Sequence, residues 1–99
     1  MSNNSIVLTA RIEESAGARF TPAGIEVFDA RMNYSGQVEE AGRSRTLNFE
    51  FRALAFGKAA ERLNKVPVGS EIDLKGFIAP ASMKNTRLTV HIQDFRLRS

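Results

Sequence analysis

The chain has 99 residues, 42% hydrophobic and 25% charged, which is the composition of one globular domain with a modest core. It has no cysteine and one histidine, which excludes disulfides, thiolate metal sites and multi-histidine metal centres. No apolar run suits a transmembrane helix and no signal peptide is recognisable, so we expect a cytoplasmic protein. The net charge of +3 permits a phosphate-bearing partner without requiring one.

Alternation of apolar and polar residues with a period of two predicts five strands. In chain order they cover residues 6–13, 27–34, 45–56, 72–78 and 88–97. A turn is expected before the second strand, because Pro22 fixes φ and Gly24 allows a positive φ. The alternation of the last strand slips near Gln93, which predicts a β-bulge at that point.

The segments between the strands have different characters. Residues 35–44, SGQVEEAGRS, carry two glycines and few large apolar groups, so we expect an exposed loop. Residues 58–64 predict a short helix that is held by packing of its apolar side chains. Residues 80–86 predict a second polar loop.

This element order predicts an all-β fold, a five-stranded Greek-key barrel of the oligonucleotide/oligosaccharide-binding (OB) type, as one domain over residues 1–99. Other small barrels share much of the pattern.

Three segments resemble the bacterial single-stranded-DNA-binding protein family: LAFGKAAE at 54–61, VGSEIDLKG at 68–76 and TPAGI at 21–25. Further segments resemble one branch of it, the primosomal replication N proteins, which are small dimeric accessory proteins of the replication-restart primosome. These segments are NSIVL at 4–8, QVEEAG at 37–42 and GFI at 76–78, and the resemblance covers about the whole chain.

The resemblance implies a homodimer that binds single-stranded DNA without sequence preference and stimulates the restart helicase. The implied partners are this helicase, a helicase-loading protein and the DNA, with no cofactor, metal or membrane. We expect no enzymatic activity, because nucleophile motifs and phosphate-binding glycine motifs are absent. His91 falls on an outward strand position and is interpreted as solvated or satisfied rather than catalytic.

Two phenylalanines fall on the outward side of their strands. Phe56 ends the third predicted strand, where it either offers a face on which a base stacks or caps the barrel mouth over the helix. In the general single-strand-binding proteins, the matching phenylalanine stacks on a base. Phe77 either stacks on DNA or lies in the dimer interface. Tyr34 falls on the core side at the end of the second predicted strand, where it packs in the core or rim or reaches the groove.

The candidate cations lie on the outward side of the second and third strands, at the start of the third strand, and beside the loop before the last strand. In the branch, that loop carries basic residues that contact DNA. A single surface cation is usually solvated and without function, and the shared location is what favours a joint role. The expected nucleic-acid-binding set is Arg31, Tyr34, Arg43, Arg45, Asn48, Arg52, Phe56, Phe77, Lys84 and Arg87.

The chain departs from the branch at two aromatic positions. Asn48 stands where the branch has a tryptophan that stacks on DNA, and Arg43 stands where it has an aromatic side chain. An asparagine forms hydrogen bonds but does not stack, so we expect weak, micromolar affinity for single-stranded DNA.

Three other functions share this fold. One is a protein-interaction module with little DNA binding, which the two lost aromatic residues favour. Another is a general single-stranded-DNA-binding protein, although those carry a long disordered tail with an acidic tip, whereas this sequence ends in the basic RLRS. A third, an RNA-binding barrel of the cold-shock type, would carry aromatic-rich strand motifs that are missing here.

Overall fold

The computed structural model describes residues 2–98 and contains six strands and one helix. The elements are β1 (Ile6–Ser15), β2 (Arg19–Phe20), β3 (Glu26–Glu40), β4 (Arg43–Phe56), α1 (Lys58–Leu63), β5 (Glu71–Pro80) and β6 (Leu88–Leu97). Residues 2–98 contain no helix that is long and apolar enough to cross a membrane.

Five of the strands close into a barrel. The sheet order is β1-β5-β6-β4-β3, and β1 closes the ring because its first half pairs with β5 while its second half pairs with β3. All of these pairings are antiparallel except β4 with β6, which run parallel at Ala53–Val90 and Leu54–His91. The two-residue β2 adds only to the edge of β3. The predicted OB barrel, with its short helix between the third and fourth long strands, is confirmed.

The core lies on the apolar side of each strand, where the alternation placed it. Its largest fully buried side chains are Phe28, Ile12, Met32, Leu63, Ile72 and Leu74. The helix contributes to this core through Ala60 and Leu63, which are completely buried, so the packing of its apolar face holds a helix too short to be stable alone.

The predicted loop at 35–44 is wrong. Strands β3 and β4 continue through it as a paired hairpin from Ser35–Asn48 to Glu40–Arg43. The two residues between them, Ala41 and Gly42, both have positive φ (55° and 76°), as a tight two-residue hairpin turn requires. This projecting hairpin, residues 35–48, is called the arm below. Tyr34 therefore lies within a long strand rather than at a strand end.

The bulge predicted near Gln93 is confirmed. On β5, Lys75 pairs with Asp94 and the next residue, Gly76, pairs with Ile92, which leaves Gln93 as the extra residue of β6. Because of this extra residue, the alternation of outward and inward positions along β6 has opposite phase before and after the bulge. The bulge lies two residues after His91.

Candidate nucleic-acid interface

Three aromatic rings form a row on the outside of the barrel. Phe77 on β5 pairs across the sheet with His91 on β6, and their ring centroids lie 5.0 Å apart with planes inclined by 11°. The ring of Phe56, at the end of β4, follows on the other side of His91 at 6.3 Å and 23°. Phe56 is 47% exposed. Residues Phe56, Phe77 and His91 are called the ring row below.

A shallow groove of about 440 Å³ runs along the ring row. Leu54 also lines this groove and is buried, although the alternation placed it on the outward side. It is enclosed because its neighbours on the adjacent strands, Asp29 and His91, flank it on both sides. Lys58, the first residue of α1, lines the same groove and adds a cation next to Phe56.

Two arginines converge on the carboxylate of Asp29. Arg52 donates from Nε to Oδ1 at 3.0 Å and from Nη2 to Oδ2 at 2.7 Å, and Arg19 Nη2 donates to the same Oδ2 at 2.5 Å. The hydrogen bonds from Arg52, then the charges of Arg52 and Arg19, hold the pKa of Asp29 below its usual range, although burial opposes them. The carboxylate is only 15% exposed, whereas both arginine side chains are about half exposed. The group thus presents two guanidiniums to solvent over one largely covered carboxylate.

Replacing Asp29 by Asn is expected to lower the free energy of unfolding by about 1 kcal/mol at pH 7, because partly exposed ion pairs each contribute little. The pKa of Asp29 is lower in the folded than in the unfolded chain. Its contribution is therefore complete above the unfolded value, roughly pH 4, and is lost as the pH falls through the folded pKa. Urea unfolding of both proteins should show a difference at pH 7 that shrinks toward zero at acid pH.

Asp94→Asn is the matched control for this substitution. Asp94 also pairs with an arginine, Arg62 at 3.1 Å, but its side chain is 72% exposed, so a smaller effect is expected at pH 7. An Asp29→Asn difference that stayed constant down to acid pH would show that the charge of Asp29 does not stabilise the fold.

The other outward candidates follow Arg52 along the β3–β4 pair. Arg31 lies opposite Arg52 and within 3.7 Å of Glu50, and Asn48 accepts a hydrogen bond from Asn33 at 2.9 Å. Since residues directly opposite in an antiparallel pair share a face, these side chains continue the surface that begins at Phe56. The structure thus brings Arg31, Asn48, Arg52, Phe56 and Phe77 to the outside of one sheet.

Three predicted residues lie on the other face of the β3–β4 hairpin. Tyr34 stacks obliquely on its cross-strand partner Phe49, with ring centroids 5.3 Å apart. Arg45 and Arg43 fall on this same inner face by alternation, and Arg45 forms an ion pair with Glu40. They do not belong to the surface that carries the ring row.

The last two candidates, Lys84 and Arg87, lie between β5 and β6 in a segment that begins shortly after Phe77. Both are exposed, and neither forms an ion pair with any residue of the described part of the chain. Both cations lie in the segment that joins the strands carrying Phe77 and His91.

Sequence reasoning missed three residues of this surface: Arg19, Lys58 and His91. Arg19 reaches Asp29 only because β2 pairs with β3, and a two-residue strand leaves no alternation to detect. His91 was placed on an outward position, but its neighbours across the sheet depend on the strand register. Lys58 follows directly after Phe56-Gly57, and that motif was the available signal.

A closed OB barrel with aromatic rings and cations on one outer sheet is the arrangement that single-strand-binding proteins use. The family model described as "Another single-strand binding protein family" matches residues 4–94. Replication restart protein PriB of Nitrosomonas europaea is 30% identical over 97 residues, covering 98% of this chain and 90% of that protein. PriB of Bordetella pertussis is 33% identical and covers 94% and 87%. The chain therefore belongs to the PriB family of replication restart proteins within the single-strand-binding class, as its motifs predicted.

Solved structures agree with this assignment. The structure of PriB from Ralstonia solanacearum superposes with a TM-score of 0.89 at 33% identity and covers 99% of this chain and 100% of that one. A deletion mutant of the single-stranded DNA binding protein from Thermus aquaticus gives a TM-score of 0.78 at 18% identity, covering 98% of this chain and 51% of that one. At that identity the second likeness shows the shared fold alone.

Proposed function

We propose that this protein binds single-stranded DNA without sequence preference and acts in replication restart by stimulating the restart helicase. The observation that carries the proposal is the ring row, with Lys58 next to it and Arg52 on the same outer face. Stacking on aromatic faces accepts any base, because every base has a π-face, and cations along the groove attract the phosphates. The protein acts by binding rather than catalysis, in the cytoplasm.

The charges of this surface support a weak rather than a tight complex. Arg31 and Arg52 are already paired with carboxylates, so a phosphate must compete with Glu50 or Asp29 for them. Asn48 offers no ring on which a base could stack. We therefore expect micromolar affinity that depends strongly on salt.

Fluorescence anisotropy of a labelled oligo-dT strand tests this proposal. We expect binding at low salt, with log K falling against log salt with a slope of about −3, the value for roughly four phosphate contacts on a single strand. Arg52→Ala should weaken binding and reduce the magnitude of the slope by about 0.7, because one contact is lost.

Arg98→Ala is the matched control for Arg52→Ala. Arg98 is also a half-exposed arginine paired with an aspartate, Asp73 at 3.4 Å. However, it follows β6 and lies next to Glu71, the first residue of β5, at the opposite end of that strand from Phe77. Arg98→Ala should leave the slope of log K against log salt within about 0.3 of the wild-type value if only the cations of the groove contact the DNA. No binding even at low salt would contradict DNA binding as the direct function.

We propose that the homodimer forms through the inner face of the arm. Phe49 is 43% exposed there although it is a large aromatic residue, and Val38, also exposed, follows Tyr34 on the same face of β3. Exposed contiguous apolar surface of this kind commonly marks a protein interface.

Phe49→Asp should convert a dimer into a monomer in analytical ultracentrifugation, because an unpaired carboxylate would be buried in the interface. A wild-type monomer, or a Phe49→Asp dimer, would contradict this interface, and a tetramer would favour the general single-strand-binding reading.

A second function is favoured by the paired arginines: a protein-interaction module that contacts the helicase and the helicase-loading protein with little DNA binding. It predicts that Arg52→Ala and Lys84→Ala leave stimulation of the helicase intact. Loss of stimulation in parallel with loss of oligo-dT binding would instead favour the DNA-binding function.

A further inference from the structure

His91 occupies the middle of the ring row, between two phenylalanines to which the proposed function gives a role. Its ring is nearly parallel to that of Phe77, with an inclination of 11°. A histidine at this position maintains the row of rings as a third phenylalanine would, but it also carries two nitrogen atoms.

The two nitrogens have different surroundings. Nε2 is buried and has no hydrogen-bond partner among residues 2–98. Nδ1 is not buried in this way, and the His91 side chain as a whole is only half-buried, so Nδ1 is the nitrogen that reaches the surface. A proton on Nε2 would be a buried N–H donor without an acceptor, which costs more than leaving that atom as a bare lone pair. A ring with its proton on Nδ1 would leave no unpaired buried donor, so Nδ1 is the nitrogen suited to donate to a ligand.

The surroundings of the ring select the ligand that an Nδ1–H donor would meet. Phe77 on β5 and Leu54 and Phe56 on β4 flank His91, and the charged residue that lines the groove with it is Lys58. No carboxylate of residues 2–98 lines this groove. A donor next to a lysine and between two stacking faces is suited to an oxygen atom of a nucleic acid strand.

We propose that His91 binds single-stranded DNA directly, with Nδ1–H donating a hydrogen bond to an oxygen of the strand that stacks on the ring row. This inference rests on the proposed function and adds a residue to it. The acceptor is a phosphate oxygen or a base carbonyl oxygen. Both are hydrogen-bond acceptors of the same kind, and strands with and without base carbonyls distinguish them.

The first test is nitrogen NMR of the whole chain labelled with ¹⁵N-histidine. His91 is the only histidine, so both ring nitrogens are assigned without ambiguity. In the free protein at neutral pH we expect the tautomer with the proton on Nδ1, and on titration with oligo-dT we expect the Nδ1 signal to move more than the Nε2 signal. A proton on Nε2 in the free protein would overturn the inference.

The second test compares two substitutions by anisotropy. His91→Phe keeps the ring row but removes the donor, and we expect oligo-dT to bind about three- to tenfold more weakly, as for one lost hydrogen bond. His91→Ala removes the ring as well and should lose more affinity. His91→Phe should be at least as stable to heat as the wild type, because it removes a buried polar atom without a partner.

The strand composition then identifies the acceptor. Adenine has no carbonyl oxygen, so a loss for oligo-dT with none for oligo-dA indicates a base carbonyl. Because adenine ring nitrogens also accept hydrogen bonds, a phosphate is indicated by an equal loss for both strands that persists with an abasic strand. Wild-type affinity of a folded His91→Phe for both strands would overturn the inference while leaving the proposed function intact. If the wild type binds neither strand, the proposed function fails and this inference fails with it.

Discussion

Gly76→Ala is expected to lower the free energy of unfolding by about 3 kcal/mol or more, the largest stability effect that we predict for a single residue. A Cβ at this position would overlap the backbone carbonyl oxygen of His91 and lie 2.8 Å from its carbonyl carbon and 3.1 Å from the Cα of Ile92. All three are backbone atoms of β6, so no side-chain rotation relieves the overlap. Thermal unfolding followed by circular dichroism should show a midpoint lowered by roughly 12–24 °C.

Gly17→Ala is the control for the backbone effect of losing a glycine. Gly17 has a positive φ of 82°, and a Cβ there would meet no atom within 4 Å. Its cost should be about 1 kcal/mol, the strain of placing alanine in the left-handed region. If Gly76→Ala destabilised the protein no more than Gly17→Ala, β5 and β6 would not approach each other at the bulge as closely as the structure shows.

The barrel could be predicted because its core strands obey a simple period. Residues such as Ile12, Phe28 and Ile72 recur on one side of strands whose other side is polar, and one buried face leaves no alternative register. The slip at Gln93 was also visible, because a bulge adds one residue to one strand and reverses the alternation after it. Local patterns of this kind need no knowledge of which strands are neighbours.

The arm could not be predicted from the same patterns. Outside the barrel its residues have no core to face, so the apolar alternation that marks a strand disappears between Gly36 and Ser44. The turn at Ala41-Gly42 lacks the asparagine or aspartate that most often marks a two-residue hairpin turn. Backbone pairing with the opposite strand, rather than burial, maintains the extended conformation there.

The candidate site was predictable only in part, for a related reason. Alternation shows that Phe56 and Phe77 point outward, but it does not show that His91 lies between them. That neighbourhood follows from two pairings, β5 with β6 and β4 with β6, the second of which is parallel and joins distant parts of the chain. The Arg19–Asp29 contact likewise depends on β2, which is too short to leave a pattern.

In the proposed DNA-binding function, the ring row and the two arginines held by Asp29 would have different roles. Parallel rings give a surface that every base can use, so they contribute affinity without selecting a sequence. Arg52 and Arg19 are held in place by Asp29 before any ligand arrives, which reduces the side-chain freedom lost on binding. The same carboxylate competes with phosphates for the two arginines, so the arginines are ordered but attract the DNA less strongly.

Phe56→Ala and Phe77→Ala are each expected to lower the affinity for oligo-dT by about five- to 160-fold, because a stacked base contributes roughly 1–3 kcal/mol. Anisotropy at low salt measures the loss, and the salt slope should stay near the wild-type value, since stacking releases no counterions. An unchanged slope with reduced affinity distinguishes the loss of a stacking ring from the loss of a cation.

Phe20→Ala is the matched control for these two substitutions, because it removes an exposed phenylalanine that lies outside the ring row. Phe20 is 63% exposed, more than Phe56 at 47%, but it follows Arg19 on β2 and so points away from the face that carries the ring row. If exposed apolar area alone retained DNA, Phe20→Ala would weaken binding as much as Phe56→Ala. If stacking on the ring row retains it, Phe20→Ala should bind within about twofold of the wild type while the other two lose affinity. Equal affinities for all four proteins would exclude the ring row as the base-binding surface and leave the cations alone to retain the DNA.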